Sequence, residues 1–183
     1  MVFRGAAAAA HTHAAPHTAP RLRVPLPRSV LWQDTDSVPI VDPFQFLPPA
    51  LDAVFTNDTA RLAGDDNAGV CGGFLYLKGG SAAAGWLLRR WAVQLGADRT
   101  NQAALNRALR VALDPGVYDG SAGPFAHLVL PQRRFPSGKL FPRFKTEAAW
   151  CHANWRQGRD AKRAFLQEHG LWDAGARGVE CND

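Results

Sequence analysis

Asp34-Thr35-Asp36 carries the sharpest chemical signal in the chain. Two carboxylates one residue apart, directly after Val30-Leu31-Trp32-Gln33, can both turn toward one divalent cation. Their oxygens suit Mg²⁺ or Mn²⁺, ions that complete their shells with phosphate oxygens. An acidic pair in a turn also has a plainer use, as a cap for backbone amides. The three residues alone leave both uses open.

A second constellation lies far downstream: His152-Ala153-Asn154-Trp155, then Gly158, then Lys162. Imidazole binds Mn²⁺ as well as Zn²⁺. Gly158 permits a close backbone approach, and Lys162 falls one turn into the segment that follows. A helix N-terminus beside a lysine makes an anion site. Taken singly, such a histidine is more often structural and such a lysine more often a solvated helix charge. A third cluster, Arg133, Arg134, Lys139, Arg143 and Lys145, has no acid before Glu147 and could face either an anionic acceptor or water.

These residues need elements to position them. Residues 29–33 read as a short strand ending at the acidic pair, which is where open α/β sheets present ligands. Residues 41–47, set among prolines, are extended or a single turn. Residues 70–77 read as a strand containing Gly72 and Gly73. Ala84, Leu87, Leu88, Trp91 and Leu95 recur at helical spacing and predict a helix over 82–95, with Arg89 and Arg90 turned outward. Thr100 can cap a second helix through Leu113, with Leu105, Ala108, Leu109 and Ala112 on its buried stripe. Residues 115–146, rich in Pro and Gly, mix short strands with loops. A short strand over 148–152 and a helix over 159–169 close the pattern. Alternating strands and helices predict an α/β domain. Trp86, Trp91, Trp150 and Trp172 are expected in the core, with Trp32 and Trp155 beside the two chemical segments.

The chain has 183 residues, about one domain's worth, and 46% of them are hydrophobic. No apolar run approaches the ~20 residues of a spanning helix. The formal charge of +5 is concentrated at the start: residues 1–30 hold four arginines and no acid, which leaves +1 for the rest. A nearly neutral body does not predict a nucleic-acid surface. Residues 1–28, with Ala6 to Ala10 and three histidines, read as an unstructured tail, residues 29–175 as the domain and residues 176–183 as a second tail. Cys71, Cys151 and Cys181 form no zinc spacing, and Cys71 and Cys151 are the two that could pair.

Taken together, the segments resemble the nucleotide-diphospho-sugar transferase domain, the plant and algal group that includes arabinosyl-, xylosyl- and galactosyltransferases. Gln33-Asp34-Thr35-Asp36 with Val41-Asp42-Pro43-Phe44 is similar to its DxD … DP(F/L) signature. Val70-Cys71-Gly72-Gly73-Phe74-Leu75-Tyr76-Leu77 resembles its glycine-Phe strand, and Asn101-Gln102-Ala103-Ala104-Leu105-Asn106 its DQ…N helix start. His152-Ala153-Asn154-Trp155 with Gly158 and Lys162 resembles its HAN(W/Y)…G…K segment, and Gly170-Leu171-Trp172 its ending. The matches keep the family's order over residues 30–172.

The resemblance implies a GT-A-like, Rossmann-like mixed sheet flanked by helices. It implies retaining transfer of a sugar from a nucleotide donor, such as a UDP-sugar, to a glycan or glycoprotein acceptor in the Golgi lumen, with Mn²⁺ or Mg²⁺. On the matched positions, Asp34, Asp36 and His152 would hold the metal. Asp34, Gly72, Gly73, Gly158 and Lys162 would bind the donor, with Gly158 and Lys162 at its diphosphate. Gln102 and Asn101 would lie beside the reacting carbon.

Two departures accompany the match. Asn101 stands where the family has Asp, so that position lacks a charge. The family also has a sizeable segment before its DxD, whereas here only the Ala/His/Pro stretch precedes Ser29, so the chain is expected to cover the later part of the domain. A non-catalytic remnant that binds a partner is therefore the alternative expectation. A third reading takes Asp34-Thr35-Asp36-Ser37-Val38 as the D-x-D-x-V of a haloacid-dehalogenase-type phosphatase with Asp65-Asp66 as its later acidic pair. Lys162 then falls on the wrong side of that pair.

Overall fold

A computed structural model of the chain describes residues 28–58, 69–97, 100–114 and 124–172. Residues 1–27 of the first tail, the tail 176–183 with Cys181, Asp65-Asp66 and the Pro/Gly-rich stretch 115–123 lie outside the described residues. The elements are β1 (Val30–Gln33), β2 (Ser37–Pro39), a 3₁₀ turn (Pro43–Phe46), β3 (Ala53–Asn57), β4 (Val70–Leu77), α1 (Ala82–Leu95), α2 (Asn101–Leu113), β5 (His127–Val129), α3 (Phe141–Phe144), β6 (Trp150–His152) and α4 (Gly158–Glu168). Among the described residues no helix is long and apolar enough to cross a membrane.

Four strands form a mixed sheet in the order β1-β4-β3-β5. β4 runs antiparallel to both of its neighbours, and β3 pairs with β5 in parallel. All eight residues of β4 are buried, because both sheet faces are covered. Strand alternation divides its side chains between two cores. Phe55, Leu75 and Leu77 meet Leu87 of α1 and Leu105 and Leu109 of α2 on one face. Val54, Phe74 and Tyr76 meet Phe135 and Trp150 on the other. The ring of Phe74 sits edge-on to both Phe135 and Trp150, at 5.4 Å each. This mixed sheet flanked by helices matches the expected class.

The helix ends follow local chemistry. Ser81 caps α1 by accepting the Ala84 N–H, and Thr100 caps α2 by accepting the Ala103 N–H. Ser81 also donates to Asp52, whose other carboxylate oxygen accepts the Ala126 N–H, tying α1 and the start of β5 to β3. β3 itself goes unpredicted above. Its Ala53-Val54-Phe55-Thr56 run, set between Leu51-Asp52 and Asn57-Asp58, is the β-rich signal that could have found it.

Several expectations need correction. Leu95 is 48% exposed and Trp172 42% exposed, so neither belongs to the core. Leu95 lines an open cleft at the end of α1, and Trp172 follows the Gly170 turn that ends α4. Cys71 and Cys151 are both free and face different neighbours. Cys151 packs with Phe141, Phe165 and Leu166, whereas Cys71 faces His152.

The second sheet is a two-stranded antiparallel ribbon of β2 and β6, with Ser37 opposite His152 and Pro39 opposite Trp150. α4 is anchored to it by Phe165 and Leu166, which pack on Phe141, Cys151 and Ala153. The ribbon joins the end of β1 to the start of α4, and so joins the two chemical segments.

A candidate metal and diphosphate site

Asp34 leaves β1 with its N–H donating to the carbonyl of Gly73, at 3.0 Å. Its own carbonyl then accepts both the N–H and the hydroxyl of Ser37, at 3.1 and 2.7 Å. That tight turn carries Asp34 and Asp36 to one side. The carbonyl of Asp36 accepts the Ala153 N–H at 3.0 Å, which draws β6 alongside.

Asp34, Asp36 and His152 thereby converge, each offering a ligand atom within 4.8 Å of the others. His152 Nε2 lies 3.3 Å from Asp36 Oδ1 and 3.5 Å from Asp34 Oδ2. Lys162 Nζ lies 2.8 Å from the second oxygen of Asp36. The imidazole is buried, and Asp34 is the most open of the three ligands. Hard oxygens plus one imidazole fit Mn²⁺ or Mg²⁺, and the open side at Asp34 leaves coordination positions for further oxygens.

The electrostatics match this geometry. Burial pushes His152 down, but hydrogen bonds with Asp36 and Cys71 outweigh it and raise the group to about 9. The hydrogen bond from His152 holds the Asp36 carboxyl well below its usual range, against burial, and Lys162 adds to the effect. A dication here would take the place of the Nε2 proton between the same two carboxylates.

The glycines make the approach possible. The β3–β4 register shifts between Phe55 and Thr56, so Phe55 faces Leu75 and Thr56 faces Cys71. The skipped stretch holds Gly72 and Gly73, as bulges beside active sites do. A Cβ on Gly73 would sit 2.7 Å from His152 Nδ1 and 3.0 Å from Asp34 Oδ2. Gly72 N–H donates to Gln102 Oε1 at 3.1 Å. Gln102 in turn donates to Asp58, which also accepts from Asn154 at 3.2 Å.

Asp58 is the residue that sequence reasoning missed. Burial pushes its carboxyl up, against the hydrogen bonds from Gln102 and Asn154. Its signal, an acid at the end of an unrecognised strand, depended on finding β3. Asn101, by contrast, is exposed on an apolar cleft with Trp32, Leu88, Trp91 and Leu95, and its carbonyl accepts the Trp91 indole N–H at 3.1 Å. Trp32 shares that cleft because, with Val30, it faces α1. Trp155, φ +63° and 45% exposed, lies under the ammonium of Lys139, 4.6 Å from the ring centre. Arg133 and Arg134 are engaged by Glu147, so two members of that basic cluster are partnered.

Beside the acidic pair opens a cleft of about 570 Å³, within the usual range for small-molecule sites. Thr35, Asp36, Gly158, Lys162 and Trp172 line it, together with Arg156, Arg159 and Arg163. Gly158, at φ +78°, opens α4, so the helix start faces this cleft. A helix start and four cations beside one carboxylate suit a polyanion.

The chain also has relatives among known proteins. A family model described as nucleotide-diphospho-sugar transferase matches residues 26–166. Three Arabidopsis thaliana proteins, each named a UDP-D-xylose:L-fucose alpha-1,3-D-xylosyltransferase, are 29% identical over 171, 171 and 174 residues. Each alignment covers 79% of this chain and 44%, 45% or 42% of the relative, so the chain spans less than half the length of these relatives. No solved structure matches significantly.

Proposed function

The chain belongs to the nucleotide-diphospho-sugar transferase family, and from that premise we propose that it binds a UDP-sugar with a divalent cation and transfers the sugar, with retention, to a glycan or glycoprotein acceptor in the secretory pathway. The observation that carries this reading is the convergence of Asp34, Asp36 and His152 beside the cationic start of α4. The acceptor class, retention and location rest on likeness to the family. The cation is Mn²⁺ or Mg²⁺.

Each residue has a distinct task in this reading. Asp34, Asp36 and His152 hold the ion. When bound, the ion supplies Lewis-acid stabilisation of the negative charge that develops on the departing diphosphate. Two carboxylates, one lysine, a neutral imidazole and a dication sum to +1, which favours the anionic donor. Gly158 and the first amides of α4 receive phosphate oxygens, and Lys162 turns from Asp36 toward them as a point charge.

Gly72 and Gly73 lie near the donor sugar, and Gly73 leaves room for the His152 ring that completes the ion site. Gln102, pinned between the Gly72 N–H and Asp58, presents its amide beside the reacting carbon. The sugar becomes cationic as its bond to phosphate breaks, so a carboxylate on that face stabilises the transition state. Asn101 cannot supply that charge. Asp58 is the acidic group held against Gln102, and we assign it this role.

The test is a titration of UDP into the full chain, with and without Mn²⁺, followed by tryptophan fluorescence and calorimetry. Mn²⁺-dependent binding supports the reading. A folded chain that binds UDP equally with and without Mn²⁺, or not at all, overturns it.

A second reading, a non-catalytic remnant that binds a partner, has its own observation. β1 pairs with β4 alone among the described residues, and Val30 and Trp32 on it are 44% and 48% exposed. A folded chain with no UDP affinity would favour that reading.

A further inference from the structure

Behind the His152 imidazole, on the side away from the carboxylates, lies the thiol of Cys71. Its Sγ is 3.5 Å from His152 Nδ1. The same sulfur receives the Gly73 backbone N–H at 3.4 Å and the Asn154 side-chain amide at 3.9 Å. Cys71 is 2% exposed and forms no disulfide.

A buried cysteine often serves only as a small apolar side chain. That use needs volume and no direction. Here N–H donors from two other residues also converge on the sulfur, which fixes where it points; a cation on Nε2 leaves the ring proton on Nδ1, and Sγ is then the acceptor within reach of it. A neutral imidazole carries its proton on one nitrogen and its lone pair on the other, and the hydrogen bond at one decides the role of the other. With Nδ1–H donated to Cys71, the lone pair is on Nε2, the nitrogen that faces Asp34 and Asp36.

The ring has few alternatives. It is 3% exposed, its Cε1 and Nδ1 atoms lie against Gly73, and Trp150 sits beside it at 5.2 Å between ring centres. A half-turn of the ring would remove Nε2 from the carboxylates and put carbon against sulfur.

We infer that Cys71 is a positioning residue for the metal centre, holding the His152 ring in the orientation and tautomer that present Nε2 to the cation. The inference rests on the metal reading proposed above. It gives Cys71 a role that its position inside the β4 glycine run does not announce. Through Asn154, which reaches both Cys71 and Asp58, the same sulfur links the metal side of the site to the Gln102 side.

The experiment compares the full chain with Cys71→Ser and Cys71→Ala. Thermal unfolding of each metal-free protein reports the fold. Free Mn²⁺, read by electron paramagnetic resonance, reports affinity. Nitrogen-15 spectra of the histidines in the Mg²⁺-loaded proteins report the His152 tautomer. Losing an outer partner of a metal-bound histidine weakens affinity about 10–100-fold. That loss is expected for Cys71→Ala with folding retained, while Cys71→Ser, which still accepts a hydrogen bond, stays within several-fold of wild type.

The loaded wild type should show the proton on Nδ1 in a hydrogen bond, and loaded Cys71→Ala the same proton without that hydrogen bond. A folded Cys71→Ala with wild-type affinity and nitrogen-15 signal overturns the inference. If Cys71→Ala does not fold, the wild-type spectrum decides, and a proton on Nε2 overturns it. If the folded wild type itself binds no Mn²⁺, the metal reading has failed and this inference falls with it. That failure appears in the wild-type arm alone, so the two are distinguishable.

Discussion

Ser37 stands opposite His152 in the β2–β6 ribbon, and that one register brings the two chemical segments together across more than a hundred residues of chain. The Asp36 carbonyl accepts the Ala153 N–H beside this pair. A slip of one residue would turn His152 to the opposite face, toward the core packed under α4. The site therefore depends on a three-residue ribbon, and its stability and its chemistry are coupled.

Asp36→Asn should reduce Mn²⁺-dependent UDP affinity by at least tenfold, the effect expected when one of three protein ligands is neutralised. The same change leaves Lys162 and His152 without their shared carboxylate. Calorimetric titration of UDP with Mn²⁺ into wild type and variant measures it. Unchanged affinity would remove Asp36 from the metal site.

Metal-free stability should fall as the solution is made alkaline. The folded pKa of His152, about 9, exceeds its ordinary 6.5. A raised pKa contributes stability that is complete below the unfolded value and lost as pH rises through the folded one. The window is therefore about 6.5 to 9. Asp36, depressed in the folded state, contributes the opposite limb, lost as the solution is acidified below its ordinary 3.8. Metal affinity should rise across the alkaline window, because the cation competes with the Nε2 proton. Melting curves with and without saturating Mg²⁺ check both signs. A metal-free melting point that rises from pH 6.5 to 9 would contradict the pairing.

Gly73→Ala tests the close approach of strand and ring. The added methyl would collide with the His152 imidazole and press on Asp34. The ring is buried and the methyl is fixed to strand backbone, so neither yields cheaply. Overpacking of this kind costs about 1–3 kcal/mol. Gly73→Ala should lower the melting point and abolish Mn²⁺ binding. Gly72→Ala, whose Cβ would meet Gln102 at an ordinary 3.6 Å, should fold normally and keep Mn²⁺. Equal behaviour of the two would argue against the fitted ring.

β1, β4, both long helices and α4 are legible in the sequence, whereas β3, at the centre of the same sheet, is not. Leu105, Ala108, Leu109 and Ala112 line the buried stripe of α2, and Thr100 accepts the N–H it was expected to cap. β2 is not legible. Ser37-Val38-Pro39 has low strand propensity and exists because it pairs with β6. Asp34, Asp36 and His152 are legible as chemistry, and their meeting is a tertiary fact. Cys71 and Asp58 read as an ordinary core thiol and a loop acid until the register shift in β4 turns them inward.

Asp58→Asn separates binding from turnover. The substitution keeps the size of the side chain and its link to Gln102, and removes the charge. Mn²⁺-dependent UDP affinity should stay within a few-fold, because Asp58 lies on the Gln102 side of the site. Slow hydrolysis or transfer from a UDP-sugar should drop by about 10²–10³-fold, the range for losing one electrostatic group aimed at a transition state. Equal losses in affinity and turnover would make Asp58 a scaffold residue.

The exposed edge makes a prediction independent of the chemistry. β1 offers backbone groups with no strand beyond them among the described residues, next to the apolar cleft of Trp32, Leu88, Trp91 and Leu95. An apolar edge without a charge on it invites pairing with a second edge, and a lysine on the strand opposes that pairing. The isolated chain should therefore associate as concentration rises, with a second copy at β1. Trp32→Lys should return it to a monomer without weakening Mn²⁺ binding, since Trp32 faces α1 and lies outside the metal cluster. Light scattering across a dilution series reads the outcome. A wild type that stays monomeric at high concentration, or a Trp32→Lys variant that associates as strongly, would show that the edge is already protected.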